Sequence, residues 1–311
     1  MCQWLASRME LARMNPLEHI HPLLYCDLCG ADISRHGARV AAGRQDLLSV
    51  SVSLSTVVCR HCRFVFQRER FSDAMLATLY ERDTSFAFSE AEKDLPIIKS
   101  CLVERQAVIS TALAAHGIKA GAAVLDVGGG RGDCCQHLAQ QHRVVVADAT
   151  EFVPADHCIE KVSGLFSENL GEDTFDVVVM NHVLEHVFSP TDFLVSTRRV
   201  LRIGGILVVE VPFELYTPLV ARHLGDWRHV AYFCRTTLRQ FLEKSGFAVA
   251  QIVLEEGCYG VRRLPVIRVV ASKLAMPLPY SPTQNSPLVL LADMIAPGIL
   301  VSLAKDRLKH R

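Results

Sequence analysis

Two paired-cysteine knuckles, one glycine-rich turn and one histidine–glutamate cluster are the parts of this sequence that could do chemistry. The cysteines are Cys26-x-x-Cys29-Gly30 and Cys59-x-x-Cys62. Each knuckle holds two thiolates on one side of a tight turn, and two knuckles complete the tetrahedral four-sulfur set that Zn2+ prefers. Between them, residues 50–58 alternate as a strand does, so the expected unit is a zinc ribbon. Four thiolates fill the coordination sphere, which makes a structural ion the expectation and not a catalytic one. The other cysteines show no ligand spacing, and Cys134 and Cys135 read as small buried hydrophobes.

The glycine turn follows an apolar run: Val124-Leu125-Asp126-Val127-Gly128-Gly129-Gly130-Arg131-Gly132-Asp133. A strand that ends in such a loop lets backbone approach a ligand closely. The blander reading is a tight turn that needs glycine for its own geometry. A dinucleotide-binding loop wants a third glycine where Asp133 stands. Asp126 sits inside the strand, and Asp148 closes the next one, where a carboxylate can accept hydrogen bonds from ribose hydroxyls.

The third feature is 175–187, an apolar run that opens into Asn181-His182-Val183-Leu184-Glu185-His186. Polar groups at the carboxyl end of a strand in an open α/β sheet lie where ligands bind. His186 and His229 have the right pKa to take a proton, with Glu185 as an orienting or second acidic group. His182 is the weaker base, and His182 or Glu185 capping the next segment is the plain alternative. No metal-binding carboxylate cluster is evident around these positions, so metal-assisted chemistry is not expected.

The elements that must position these groups alternate between apolar runs and helical patterns from residue 122 onward, the mark of a mostly parallel α/β sheet. Strands are expected at 123–127, 144–147, 175–180, 206–211, 248–254 and 266–271, and helices at 134–141, 190–201 and 236–245. Upstream, 74–80 and 96–116 read as helices, the second closed by Gly117. Four zones follow: a ribbon segment over 1–70, a helical connector over 71–120, a ligand-binding sheet domain over 121–273, and a proline-punctuated apolar tail over 274–311.

The stretch LDVGGGRGD resembles motif I of class I S-adenosylmethionine-dependent methyltransferases, an acidic residue followed by G-x-G-x-G. FDVVVMNHVLEHV with RRVLRIGGILVVEVP is similar to the subgroup marked by "LEH" and "LkpGG", and WRHVAYF followed by GF to a later element of that subgroup. The resemblance covers about 122–271. It implies a Rossmann-like seven-stranded sheet that binds S-adenosylmethionine. Asp126, Gly128, Gly130, Gly132, Asn181 and His182 would line the cofactor, and Asp148 would hold its ribose. Glu168-Asn169-Leu170 departs from the usual adenine-contacting segment. The cysteine pairs with Leu79-Tyr80-Glu81 resemble segments that precede methyltransferase domains of sugar and polysaccharide modification. That implies a small-molecule acceptor, with a sugar or glycoconjugate hydroxyl or carbon favoured.

Composition bounds the rest. The 311-residue chain is 50% hydrophobic and 21% charged with a formal net charge of +0, the profile of a globular protein. No basic excess supports a nucleic-acid partner. Residues 1–13 carry Arg8, Glu10 and Arg13 without an apolar run and do not read as a secretory leader, so reduced thiols in a cytoplasm are expected. The tail is interrupted by Asp293 and Pro297-Gly298, too short for a spanning helix. A packed hairpin, a homodimer contact or a peripheral membrane helix are its readings. Two other functions stay open: a nicotinamide-dependent oxidoreductase, and a zinc-ribbon scaffold with a non-catalytic methyltransferase-like domain.

Overall fold

The computed structural model describes residues 15–82, 95–149, 152–164, 170–215, 224–259, 262–277, 279–281, 284–286 and 288. The tail expected to pack or meet a membrane lies almost wholly outside them, as do Glu168 and Asn169. Among the described residues no helix is long and apolar enough to cross a membrane.

The chain opens with β1 (Ile20–Pro22), a one-turn helix (Ile33–His36), β2 (Gly37–Leu47), β3 (Val50–Cys59), β4 (Val65–Gln67) and β5 (Glu69–Phe71). Helices α1 (Asp73–Arg82) and α2 (Pro96–Ala115) follow. Then come β6 (Ala123–Val127), β7 (Arg143–Asp148), β8 (Ile159–Ser163), β9 (Phe175–Asn181), α3 (Pro190–Val200), β10 (Leu201–Pro212), β11 (Ala231–Tyr232), α4 (Arg235–Lys244), β12 (Phe247–Tyr259) and β13 (Arg262–Lys273).

Seven strands form the main sheet in the order β12-β13-β10-β9-β6-β7-β8. Strands β6, β7, β8, β9 and β10 run parallel, and β13 lies antiparallel between β10 and β12. All five residues of β6 are buried, as a central strand covered on both faces requires. The expected strands are all present; β8 and the long β2 were not anticipated. Helix α2 ends where Gly117 takes a left-handed φ of 65°, and α3 starts at Ser189, whose hydroxyl accepts from Asp192 N, with Pro190 in the first turn.

One helix expectation fails. Residues 134–141 form only a short 3-10 helix (Gln136–Leu138) between turns, with i to i+3 bonds such as Cys135 N to Gly132 O at 3.0 Å and Leu138 N to Cys135 O at 2.9 Å. Gln, Leu and Ala favour a helix here, but Cys135 and Leu138 are buried in the core beneath the sheet and the i to i+3 bonds that begin at Gly132 hold the stretch in turns. One thiol also departs from the reduced set expected: Cys101 on α2 is disulfide-bonded. Cys26, Cys29, Cys59, Cys62, Cys134, Cys135, Cys158 and Cys234 are free.

The ribbon is stitched to the sheet domain. Its four-stranded sheet runs β11-β4-β3-β2, so the last strand is donated by residues 231–232. Phe64 beside the second knuckle meets Phe241 of α4 edge-on at 4.8 Å and Phe233 at 5.8 Å. Asp27, inside the first knuckle, accepts from Thr191 N at 3.0 Å at the start of α3. Asn285 bonds Cys62 O at 2.7 Å and Gln240 at 2.9 Å.

The strongest stitch is Arg70, a guanidinium with no exposure. It donates to Gln67 O at 3.2 Å, to Val230 O at 3.2 Å and to Phe188 O. Burial lowers its pKa to about 10, opposed by the charge of Asp27. Val230 O also accepts from Gln67 N at 2.9 Å. Arg70→Met removes the donors and leaves buried carbonyls unsatisfied, so chemical denaturation should show a loss of about 2–4 kcal/mol. An unchanged midpoint would show that the clamp contributes nothing.

Candidate active site

The carboxyl ends of β6, β7 and β9 form the ligand edge of the sheet. At β6 the chain turns at once into the glycine loop, where Gly128 has a φ of 65°. A Cβ there would stand 2.7 Å from Val183 Cγ2, and one on Gly129 would stand 2.4 Å from the Asp126 carboxylate. Glycine is therefore required both by backbone hand and by packing. Gly130 N donates to Asp148 Oδ2 at 2.7 Å, which ties the loop to the end of β7. Phe152 stands beside Gly130 with Lys161 Nζ 5.0 Å from its ring centre. At the end of β9, Asn181 Nδ2 is buried and finds no acceptor.

Asp126 lies beneath this loop with 1% exposure, and its Oδ2 accepts no hydrogen bond. Burial pushes its carboxyl up to about 7, helped by the charges of Asp148 and Asp133 against a bond from Cys135.

The second group gathers from two distant segments. His182 takes a left-handed φ of 55°. Its Nε2 meets Glu210 Oε1 at 3.0 Å and its Nδ1 meets Glu185 Oε1 at 3.3 Å. Burial pulls its pKa down, but the two carboxylates raise it to about 9. Burial pushes Glu185 up, yet the imidazoles of His186, His182 and His229 bring it to about 2. His186 is lowered to about 4 by burial and by His229, against the pull of Glu185. Its Nδ1 lies 2.7 Å from Arg228 O.

His229 arrives on the segment that becomes β11. Its ring sits edge-on to His186 at 4.6 Å, and its Nδ1 is 2.7 Å from Glu214 Oε2. Burial opposes protonation there, but the charge of Glu214 raises the pKa. Val230 N and Ala231 N both donate to Glu185 O, at 2.8 and 3.1 Å, so the two segments are laced together. Tyr80 of α1 adds a wall, 6.1 Å from the His186 ring and 5.1 Å from Trp227.

The sequence-predicted residues fall in two groups: Asp126, Gly128, Gly130, Gly132 and Asp148 in or around the glycine loop, and Asn181, His182, Glu185, His186 and His229 from the end of β9 and the segment entering β11. Not foreseen were Glu214, Glu210 and Phe152. Glu210 also holds Arg105 at 2.8 Å and Arg268 at 2.7 Å. Nothing local in the sequence marks Glu214 as the partner of His229.

The cysteines converge apart from this edge. Cys26 Sγ and Cys62 Sγ are 3.5 Å apart, and Cys29 Sγ and Cys59 Sγ 3.6 Å. Sulfurs around a tetrahedral zinc lie about 3.8 Å apart, so the four fit that ion. Both knuckles close alike: Gly30 N bonds Cys26 O at 2.8 Å and Arg63 N bonds Cys59 O at 2.9 Å, each with left-handed φ, 72° and 64°.

The order of the main sheet, with an antiparallel strand set between two parallel ones, differs from the dinucleotide-binding order. Residues 103–252 match a family described as a methyltransferase domain. The chain carries a class I S-adenosylmethionine-dependent methyltransferase domain. A ubiquinone biosynthesis O-methyltransferase of Roseobacter denitrificans is 35% identical over 99 residues, 28% of this chain and 40% of that protein. The chain therefore aligns with less than half of that relative's length. Burkholderia thailandensis 1,6-didemethyltoxoflavin-N1-methyltransferase, solved with S-adenosylhomocysteine, shares the fold at 18% identity and a TM-score of 0.51. That match covers 77% of this chain and 99% of the other.

The pKa of Asp126 makes a pH prediction. Its folded pKa of about 7 lies above the ordinary carboxyl value of 3.8, so its contribution is full below 3.8 and lost as pH rises through 7. Asp126→Asn should melt at a higher temperature than the parent at pH 8, with the gap narrowing as pH falls from 7 towards 4. Equal melting temperatures at both pH values would refute the buried-charge account.

Proposed function

We propose that this protein transfers the methyl group of S-adenosylmethionine to a small-molecule acceptor. A hydroxyl is the favoured acceptor, with a sugar or glycoconjugate hydroxyl or carbon as the class that the sequence resemblance suggests. The observation that carries the reading is the meeting of two groups on one sheet edge. The glycine loop with Asp148 and Asn181 suits the cofactor, and Val183, which packs against Gly128, leads directly into Glu185 and His186. The O-methyltransferase relative supports an oxygen acceptor.

S-adenosylmethionine supplies an activated methyl on a sulfonium, so the protein's task is to align the acceptor and take its proton. In this reading His229 is the base. Glu214 at Nδ1 fixes the ring and strengthens it as a base, and the proton is taken at Nε2, the opposite ring atom. His186 stays neutral at pH 7 because burial holds its pKa near 4, and it orients the acceptor. Glu185 holds the charge balance between the histidines. Asp148 would bind the ribose, and Asn181 and Asp126 would meet the polar end of the methionine. The four cysteines would hold a structural Zn2+ that fixes the ribbon.

Transfer of a radiolabelled methyl group to a panel of sugars and hydroxylated small molecules tests this. His229→Gln should lower kcat by about 10²–10⁴-fold on any acceptor found, with little change in cofactor affinity. Parent-level turnover in that variant would remove His229 from the role.

A further inference from the structure

Glu185, His186 and His229 are arranged in a way that proton transfer alone does not require. Each offers one donor atom, and these atoms lie within 4.8 Å of one another. His186 Nδ1 is tied to Arg228 O and His229 Nδ1 to Glu214 Oε2, both at 2.7 Å. Anchoring one ring nitrogen to a carbonyl or carboxylate is how proteins aim the other at a metal ion. Glu185 is the independent sign. It has no exposure; its Oε1 pairs with His182 Nδ1 at 3.3 Å, and its Oε2 accepts no hydrogen bond. His182 faces one side of the carboxylate, and its remaining oxygen is buried beside two further imidazoles, where a cation would compensate it.

We propose that Glu185, His186 and His229 bind a divalent transition-metal cation, separate from the four-cysteine site. The set is two imidazoles and one carboxylate, a combination that holds such ions with positions left open. Donors around a tetrahedral ion with ~2.1 Å bonds lie about 3.4 Å apart, and His186 Nε2 is 3.6 Å from Glu185 Oε1. His182, 3.3 Å from the same oxygen and bonded beyond it to Glu210, steadies the carboxylate. The sequence grouped these three residues as proton-transfer candidates, but the spacing of His229 from the other two gives no metal-ligand signature.

An acceptor hydroxyl in an open position would ionise by coordination, its proton passing to water, and the oxygen would face the methyl donor. The cation then does what the bare His229 would otherwise do. This extension rests on the methyl-transfer reading only for what fills the open position; cation binding is measured without turnover or cofactor.

The test is a Co2+ titration of the full chain, with one zinc per chain already on the thiolates by elemental analysis. Nitrogen- and oxygen-ligated cobalt shows weak visible bands, distinct from the intense absorption of cobalt thiolate. One equivalent of the weak-band species should form. It should be lost in Glu185→Gln and in His229→Gln, each checked for fold by circular dichroism. Glu214→Gln, which keeps all three donors, should weaken binding about 10–100-fold. No saturable uptake by the folded parent, or uptake unchanged in all three variants, would overturn the site. The glycine loop and the methyl-transfer reading would be untouched by that result.

Discussion

A fully buried carboxylate ringed by imidazoles is the constraint around which this molecule is organised. Glu185 has no exposure and is encircled by imidazoles. Such a charge persists only where the surroundings compensate it. Each compensating group comes from a different element. Strand β9 delivers His182, the turn after it delivers Glu185 and His186, and the segment entering β11 delivers His229. The ion cluster around Glu210, with Arg105 from α2 and Arg268 from β13, anchors His182 from behind. The same edge that places the glycine loop therefore places this carboxylate and its imidazoles.

The four-cysteine ribbon has a part in this. Strand β11 belongs to its sheet, and Arg70 binds carbonyls on both sides of the site, Phe188 after the histidine–glutamate turn and Val230 after His229. The phenylalanines around the second knuckle share one core with α4. The four-cysteine ribbon and the methyltransferase sheet pack against each other, and the pairing of β11 with β4 sets where the segment carrying His229 runs. A four-thiolate site is a cheap way to make that register rigid in a small sheet with little core of its own.

Much of this was legible in the sequence because its signals are local. The glycine loop, the knuckles and the apolar strands declare themselves within a few residues, and β6, β9 and β13 fall where the apolar runs are. What could not be read depends on distant contacts. The 134–141 stretch looks helical by pattern, but burial of Cys135 and a run of i to i+3 bonds tighten it into 3-10 turns. Residues 231–232 look like part of the sheet domain, yet they pair with β4. Glu214 is an ordinary acidic residue until the chain brings it 2.7 Å from His229. Glu185, His186 and His229 were grouped in the sequence as proton-transfer residues, but that their donor atoms converge within 4.8 Å depends on a contact between distant segments.

The most direct test of the central claim is calorimetric titration of the zinc-replete protein with S-adenosylmethionine, with NADH in parallel. Saturable micromolar binding of S-adenosylmethionine, absent for NADH and lost in Gly128→Ala, is the expected result. The added methyl would meet Val183 at 2.7 Å in a backbone conformation that alanine rarely adopts. A folded protein that binds NADH, or that binds neither compound, would contradict the account.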